Sequence, residues 1–353
     1  MPIQADSAAD AYAQMVPILS RLIPDAEIKY KSELVYEINK KKKEVGAVII
    51  GHNYMEPALF NTVCDIVGDS LEISRKAKEA TANIIVLCGV RFMAETAKIL
   101  NPTKTVLLPA KKAGCSLASS ISAKQVRELK ELFPGAPVIG YVNTFADVKA
   151  ECDICCTSGN AKRVVDSFGD QPVIFLPDEY LSKNVAKETD REIFEGSAAG
   201  LESYKARTST KPALIYWKGR CEVHEQFTVD DITRVRKQFP EVKVLSHPEC
   251  SPEVVAASDI SASSSKMIEY VKKSGAQKFL MLTECSMGDN IMAENPEKDM
   301  LRMCSIRCPH MNEITLEDTL DALVNMRQVI EIPEPVRLGA ERALQRMLEI
   351  PPS

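Results

Sequence analysis

Long apolar runs are missing from this chain of 353 residues, and so is any stretch near the roughly eighteen residues that cross a bilayer, which excludes a helical membrane protein. The N-terminus, MPIQADSAAD, lacks the basic flank and apolar centre of a secretory signal, so a cytoplasmic location is expected. Positive charge is not in excess: the formal net charge is -5, which argues against nucleic acid as partner while leaving room for a local pocket for anions. The eleven cysteines have no export signal beside them, and in a reducing compartment they cannot form a disulfide scaffold. Histidine is scarce, with four residues, so the position of each one carries weight. What is present is ordinary globular material, 45% hydrophobic and 26% charged, long enough for two or three cores.

The cysteines fall into two groups. Cys64, Cys88, Cys155, Cys156 and Cys285 lie in or beside apolar strand-like runs and read as small core residues. Cys152, Cys155 and Cys156 form a CxxCC, but a strand over DICC would point its sulfurs to opposite faces, so this is not a zinc site. Cys115, Cys221 and Cys308 differ. Each is followed seven residues later by a hydroxyl residue, Ser122, Thr228 or Thr315, that begins a helix, with Gln125, Asp231 or Asp318 three further on. Three thiols thus share one position of a threefold repeat, and equivalent loops of such repeats can converge on one centre. Cys304 is eleven residues from Thr315 and falls in the apolar run MLRMCS, whereas Cys308 is followed by Pro309, so the register selects Cys308.

Residues 1-46 read as a helical layer, SAADAYAQM ending at Pro17 and a second helix from Asp25 to Gly46, with Lys40 to Lys43 near its negative end. From Ala47 onward short apolar runs alternate with helical segments, the pattern of a parallel α/β sheet. Four strands are expected in each unit: 47-51, 64-68, 84-90 and 105-110; 137-142, 153-156, 172-177 and 213-217; 242-246, 259-262, 278-283 and 300-305. The expected organisation is a helical segment 1-46, α/β units 47-121 and 122-227, and a third unit 228-353 that closes with helices near 315-331 and 335-348. Segments 181-211 and 285-299 read as insertions, the second as loop.

Strand ends in such sheets are where ligands bind. First strands end in HNY (52-54), YVNT (141-144) and HPE (247-249), and second strands run into Ser70, Ser158 and Ser264 just ahead of helical segments. Each serine reads either as a helix cap or as part of an anion-binding rim. All four histidines occupy these places or follow a repeat cysteine: His52, His247, His224 and His310. Tyr54, Tyr141 and Glu249 beside them become candidate proton-transfer groups.

Three thiolates, one from each unit, do not match structural zinc, which takes four protein ligands; an iron-sulfur cluster with one open iron fits better. The open position would act as a Lewis acid, pointing to dehydration or condensation. In its ordered motifs, GHNY (51-54), GDSLEIS (68-74), GVRFMAETAKIL (89-100), YVNT (141-144), CTSGNA (156-161), PDEYL (177-181), WKGRCEVH (217-224), HPE (247-249) and CPHM (308-311), the chain resembles the quinolinate synthase family. The resemblance implies three pseudo-symmetric α/β domains around a central [4Fe-4S] cluster on Cys115, Cys221 and Cys308, and condensation of iminoaspartate with dihydroxyacetone phosphate to quinolinate, phosphate and water. It places His52, Tyr54, Ser70, Tyr141, Asn143, Ser158, His247, Glu249 and Ser264 at substrate-handling positions, Ser264 standing where threonine is usual. His224 joins the substrate-binding candidates, and Glu249 is the expected general base, with Tyr54, Tyr141 and His52 also catalytic. An L-aspartate oxidase is an expected functional partner as source of iminoaspartate. The rival readings are another three-cysteine iron-sulfur hydro-lyase and a non-catalytic metal or redox sensor.

Overall fold

The computed structural model describes residues 2-303 and 305-351; Cys304, whose role the register argument weighed, lies outside the described residues. Two helices lead, α1 (Ala8–Leu19) and α2 (Asp25–Val45), the latter closed by Gly46 in the left-handed conformation. The first repeat runs β1 (Ala47–His52), α3 (Pro57–Thr62), β2 (Ile66–Gly68), α4 (Ser70–Glu79), β3 (Ile84–Cys88), α5 (Arg91–Leu100) and β4 (Thr105–Leu107). The second runs α6 (Ala123–Leu132), β5 (Val138–Tyr141), α7 (Ala146–Ala150), β6 (Ile154–Cys156), α8 (Ala161–Asp166), β7 (Val173–Leu176), α9 (Glu179–Glu188), β8 (Glu192–Glu195), α10 (Ala198–Ala206) and β9 (Ala213–Tyr216). The third runs α11 (Val229–Gln238), β10 (Lys243–Ser246), α12 (Pro252–Ala257), β11 (Ile260–Ser261), α13 (Ser264–Lys273), β12 (Lys278–Leu282), α14 (Cys285–Glu294) and β13 (Asp299–Arg302), before α15 (Leu316–Asn325) and α16 (Glu334–Glu349).

The three sheets have strand orders β2-β1-β3-β4, β6-β5-β7-β9-β8 and β11-β10-β12-β13. All twelve expected strands are present, and the α/β class with repeated parallel sheets holds. The first strand is interior in every sheet, so its residues are buried on both faces: Ile49, Ile50, Val138, Ile139, Val244 and Leu245 are all inaccessible. The expected core cysteines are buried too. Two buried cysteines explain a glycine: a Cβ on Gly51 would stand 2.5 Å from the Cys64 sulfur, and one on Gly140 2.6 Å from that of Cys152. Burial pushes the Cys155 thiol up to about 12 and raises Cys152 and Cys156 well above the usual range, so the CxxCC is inert packing.

Three expectations are corrected. Residues 285-299 are not a loop: α14 occupies the place that α5 and α9 hold after the third strand of the other repeats. The true insertion in the second repeat is shorter than 181-211, because α9 belongs to the repeat; what is added is β8, which pairs parallel with β9 at the sheet edge, and α10. Helix α1 runs through Pro17. Pro17 and Ala13, four residues before it, are both exposed, so the carbonyl that loses its partner faces water.

The chain forms two compact units. Unit 1 comprises residues 1-114, 234-245 and 264-331; unit 2 comprises 115-233, 246-263 and 332-353. In unit 1, α2 packs on α1 and α15; in unit 2, α16 packs on α7 and β6.

Candidate active site

The threefold cysteine register is built in the backbone. After each of Cys115, Cys221 and Cys308 comes one 3-10 turn, Ala118–Ser120, His224–Gln226 or Met311–Glu313. The cysteine carbonyl accepts the N–H four residues on in every case, at 3.0, 3.0 and 3.1 Å. The helix caps follow as expected: Ser122 with Gln125 forms a capping box, Thr228 and Asp231 bond reciprocally, and Thr315 accepts from the Asp318 N–H. Among the ten described cysteines these three alone are not buried. Their turns also aim backbone donors at sulfur. The Ala118 N–H reaches Cys115 Sγ at 3.4 Å, and the N–H groups of Val223 and His224 bond the Cys221 sulfur. Accessible soft donors with N–H groups directed at them suit a thiolate-ligated metal centre, so the residues fit an iron-sulfur group. Cys115 and Cys221 belong to unit 2 and Cys308 to unit 1.

In unit 2 the strand ends gather Tyr141, Asn143, His224, His247 and Glu249. The buried Glu249 carboxylate is the hub. Its Oε1 accepts from the Tyr141 hydroxyl and, at 3.2 Å, from Asn143 Nδ2; its Oε2 lies 2.7 Å from His224 Nδ1 and 3.9 Å from His247 Nδ1. Burial pushes this carboxyl up, but the imidazoles of His224 and His247 and the bonds from His224 and Tyr141 outweigh it and hold the group at about 2. His224 is the nearer of the two to the carboxylate, while His247 Nδ1 accepts the Glu249 N–H at 3.3 Å. The two imidazoles stack with centroids 4.6 Å apart. His224 Nδ1 also lies 3.2 Å from Cys221 Sγ, which links the carboxylate hub to a repeat cysteine. Cys221, His224 and Glu249 each present a ligand atom within 4.8 Å of the others.

Unit 1 repeats part of this design. His52 Nδ1 accepts the Tyr54 N–H at 3.2 Å, as His247 does two residues before Glu249. In both rings that bond places the proton on Nε2. The Tyr54 hydroxyl bonds Thr283 Oγ1 at 2.6 Å, and Asn53 Nδ2 reaches Ser264 Oγ at 2.9 Å and Ser265 Oγ at 3.2 Å. Ser70 does not cap its helix: Asp69 does, accepting the N–H groups of Leu71 and Glu72, so the Ser70 hydroxyl is not committed to that role. Ser158 is half-buried in the turn ahead of α8, whose cap position is Asn160. The structure therefore brings Tyr141, Asn143, His224, His247 and Glu249 together in unit 2, and His52 and Tyr54 together in unit 1.

Sequence reasoning missed the residues that hold these loops in place. Asn184 of α9, buried, donates to the carbonyls of Pro248 at 2.8 Å and Cys250 at 3.0 Å, on either side of Glu249. Asn290 of α14, also buried, donates to those of Asn53 at 3.1 Å and Met55 at 2.8 Å, on either side of Tyr54. Each asparagine stands six residues after a buried acid that caps its helix, Asp178 or Glu284. Burial raises both acids, Glu284 to about 7 and Asp178 well above the usual carboxylate range, where Glu249 adds to the effect. The shared six-residue spacing was the signal that could have revealed the pair.

A family model described as Quinolinate synthetase A protein matches residues 36–349. Quinolinate synthase 2 of Mesorhizobium japonicum is 48% identical over 332 residues, 94% of this chain and 96% of its own length. The quinolinate synthase of Agrobacterium fabrum is 48% identical over 344 residues, 98% and 92% of the two chains, and that of Caulobacter vibrioides 43% over 347 residues, 96% and 89%. With the family matched across most of its length and relatives covering nearly all of it, this chain belongs to the quinolinate synthetase A family.

Proposed function

We propose that the chain condenses iminoaspartate with dihydroxyacetone phosphate to give quinolinate, phosphate and water, as a step of NAD biosynthesis. The observation that carries this reading is the ionised Glu249 with Tyr141 and Asn143 on one oxygen and His224 on the other, an arrangement that joins a carboxylate base to a phenolic hydroxyl. Cys115, Cys221 and Cys308 would hold a [4Fe-4S] cluster, which when bound supplies a Lewis-acidic iron for polarising a substrate oxygen.

The protein's own groups divide the remaining work. Glu249, charged at neutral pH, accepts a proton from carbon next to the imine or carbonyl, and His224 on its other oxygen holds the carboxylate in its ionised form. The Tyr141 and Tyr54 hydroxyls, held by Glu249 and Thr283, donate and accept during the keto-to-aldehyde rearrangement and ring closure. His52 and His247, with the proton on Nε2, donate hydrogen bonds to substrate anions, joined by Asn143 and the hydroxyls of Ser70, Ser158 and Ser264. Among the described residues no helix is long and apolar enough to cross a membrane. The cytoplasm, where thiols stay reduced, is the proposed location, and an L-aspartate oxidase the proposed source of iminoaspartate. Protein prepared without air and given both substrates should release quinolinate; turnover without quinolinate would favour the hydro-lyase, and no turnover the sensor.

A further inference from the structure

The cluster accounts for Cys221 as one of three equivalent thiols, yet Cys221 alone of the three has an imidazole and a carboxylate within ligand distance among the described residues. His224 Nδ1 faces both partners at once, 3.2 Å from Cys221 Sγ and 2.7 Å from Glu249 Oε2. A cation held between these three atoms would be surrounded by sulfur, nitrogen and oxygen. Zinc bonds of about 2.3 Å to sulfur and about 2.0 Å to nitrogen and oxygen put tetrahedral ligands roughly 3.3–3.6 Å apart. The 3.2 Å separation has to open by about 0.3 Å and the 2.7 Å separation by about 0.6 Å. The chemistry also matches: thiolate, imidazole and carboxylate are each donors that zinc accepts, and three protein ligands with a fourth position open is the arrangement of catalytic zinc sites. The carboxylate is buried and the sulfur is half-buried beside it, where a divalent ion would neutralise both.

We propose that Cys221, His224 and Glu249 form a second metal site, one that takes a single zinc-like divalent ion when no iron-sulfur cluster claims Cys221. Zinc there excludes the cluster, because one sulfur serves both, and it removes Glu249 from proton transfer. This inference depends on the geometry of unit 2 and not on the identity of the substrates.

The test uses full-length protein stripped of its cluster without air and titrated with Co2+, followed by displacement with Zn2+. One Co2+ per chain should bind, with the charge-transfer absorption of one thiolate, and Zn2+ should abolish it. The double variant Cys115→Ser/Cys308→Ser cannot hold the three-cysteine centre, and it should bind Co2+ within about threefold of the unsubstituted protein. His224→Gln and Glu249→Gln should each weaken binding by about a hundredfold or more, since loss of a direct ligand exceeds the roughly 10–100-fold cost of losing an outer partner. Circular dichroism confirms that each variant is folded. Loss of the ion in the double cysteine variant, absorption from three thiolates, or indifference to both His224→Gln and Glu249→Gln would overturn the proposal.

Discussion

Replacing Asn184 tests whether the placement of Glu249 depends on a clamp in a neighbouring helix. The side-chain amide gives both its protons to the carbonyls of Pro248 and Cys250, and the residue is only 5% exposed, so water cannot readily substitute. Asn184→Leu keeps most of the volume and removes both donors. Each carbonyl left buried and unpaired costs about 1–3 kcal/mol, for a destabilisation of about 2–6 kcal/mol. The loop between them then relaxes, and a shift of about 1 Å in a reacting group lowers turnover by roughly a hundredfold. The expected outcome is a melting temperature lower by several degrees and kcat reduced about 10–100-fold with a smaller change in KM. Iron content should be unchanged, because Asn184 bonds the carbonyls of Pro248 and Cys250, neither of which is a repeat cysteine. Steady-state kinetics under anaerobic conditions, with iron analysis and thermal melting of the same preparation, provide the measurement. A variant that melts lower but keeps kcat within about twofold would show the clamp to be structural only, and the positioning argument would fail.

Glu249→Gln should lower kcat by about a hundredfold to ten-thousandfold while the cluster assembles, the usual contribution of a positioned acid-base group; near-normal turnover would remove Glu249 from the mechanism. Cys308→Ser should abolish assembly of a four-iron cluster, whereas Cys304→Ser should keep iron and activity, as read by iron and sulfide analysis. Asp178→Asn retains the Oδ1 that caps Leu181 and removes a buried charge whose Oδ2 has no protein partner. Because burial raises the Asp178 carboxyl above its ordinary 3.8, the folded state holds the proton longer than the unfolded one. That contribution is full below 3.8 and is lost as pH rises from 3.8 through the raised value. Relative to the unsubstituted protein, Asp178→Asn should therefore gain stability progressively as pH increases, measured by denaturant melts across the pH range; a constant difference would refute the sign.

The alternation of strands and helices was legible because interior parallel strands must be apolar on both faces, which leaves short runs such as AVII and PVIFL standing out. The cysteine turns were legible because their caps are local: the partners lie three residues apart. Helix α14 was not. Its residues Cys285, Ser286, Met287, Gly288, Asn290 and Ile291 are all buried, so no polar face alternates with an apolar one. Its Gly288 reads as a loop signal but is a packing requirement, since a Cβ would stand 2.6 Å from the Arg302 side chain. Asn184 and Asn290 look like poor helix formers, and their purpose lies in carbonyls 64 or more positions away. The hub around Glu249 was half legible: the strand ends named its members, but only the fold shows His224 on one oxygen and Tyr141 on the other.

The way the chain is shared between its two units bears on synthesis. Unit 1 contains the earliest residues and also segments up to 331, and unit 2 recruits 332–353. Helix α16 is not ornamental there: the Asn160 side chain donates to the Met347 carbonyl, and a Cβ on Gly339 would stand 2.9 Å from that of Ala150. A ribosome working from the N-terminus thus releases nearly the whole polypeptide before either unit has all its parts. The apolar strands of the first repeat, made early, must wait for α15 to arrive beside α2. Folding on this plan is late and dominated by contacts distant in sequence, which makes it slow and leaves nascent strands exposed to aggregation. The late arrival of α15 and α16 is set by how the chain is shared between its units, independent of any cluster it later acquires.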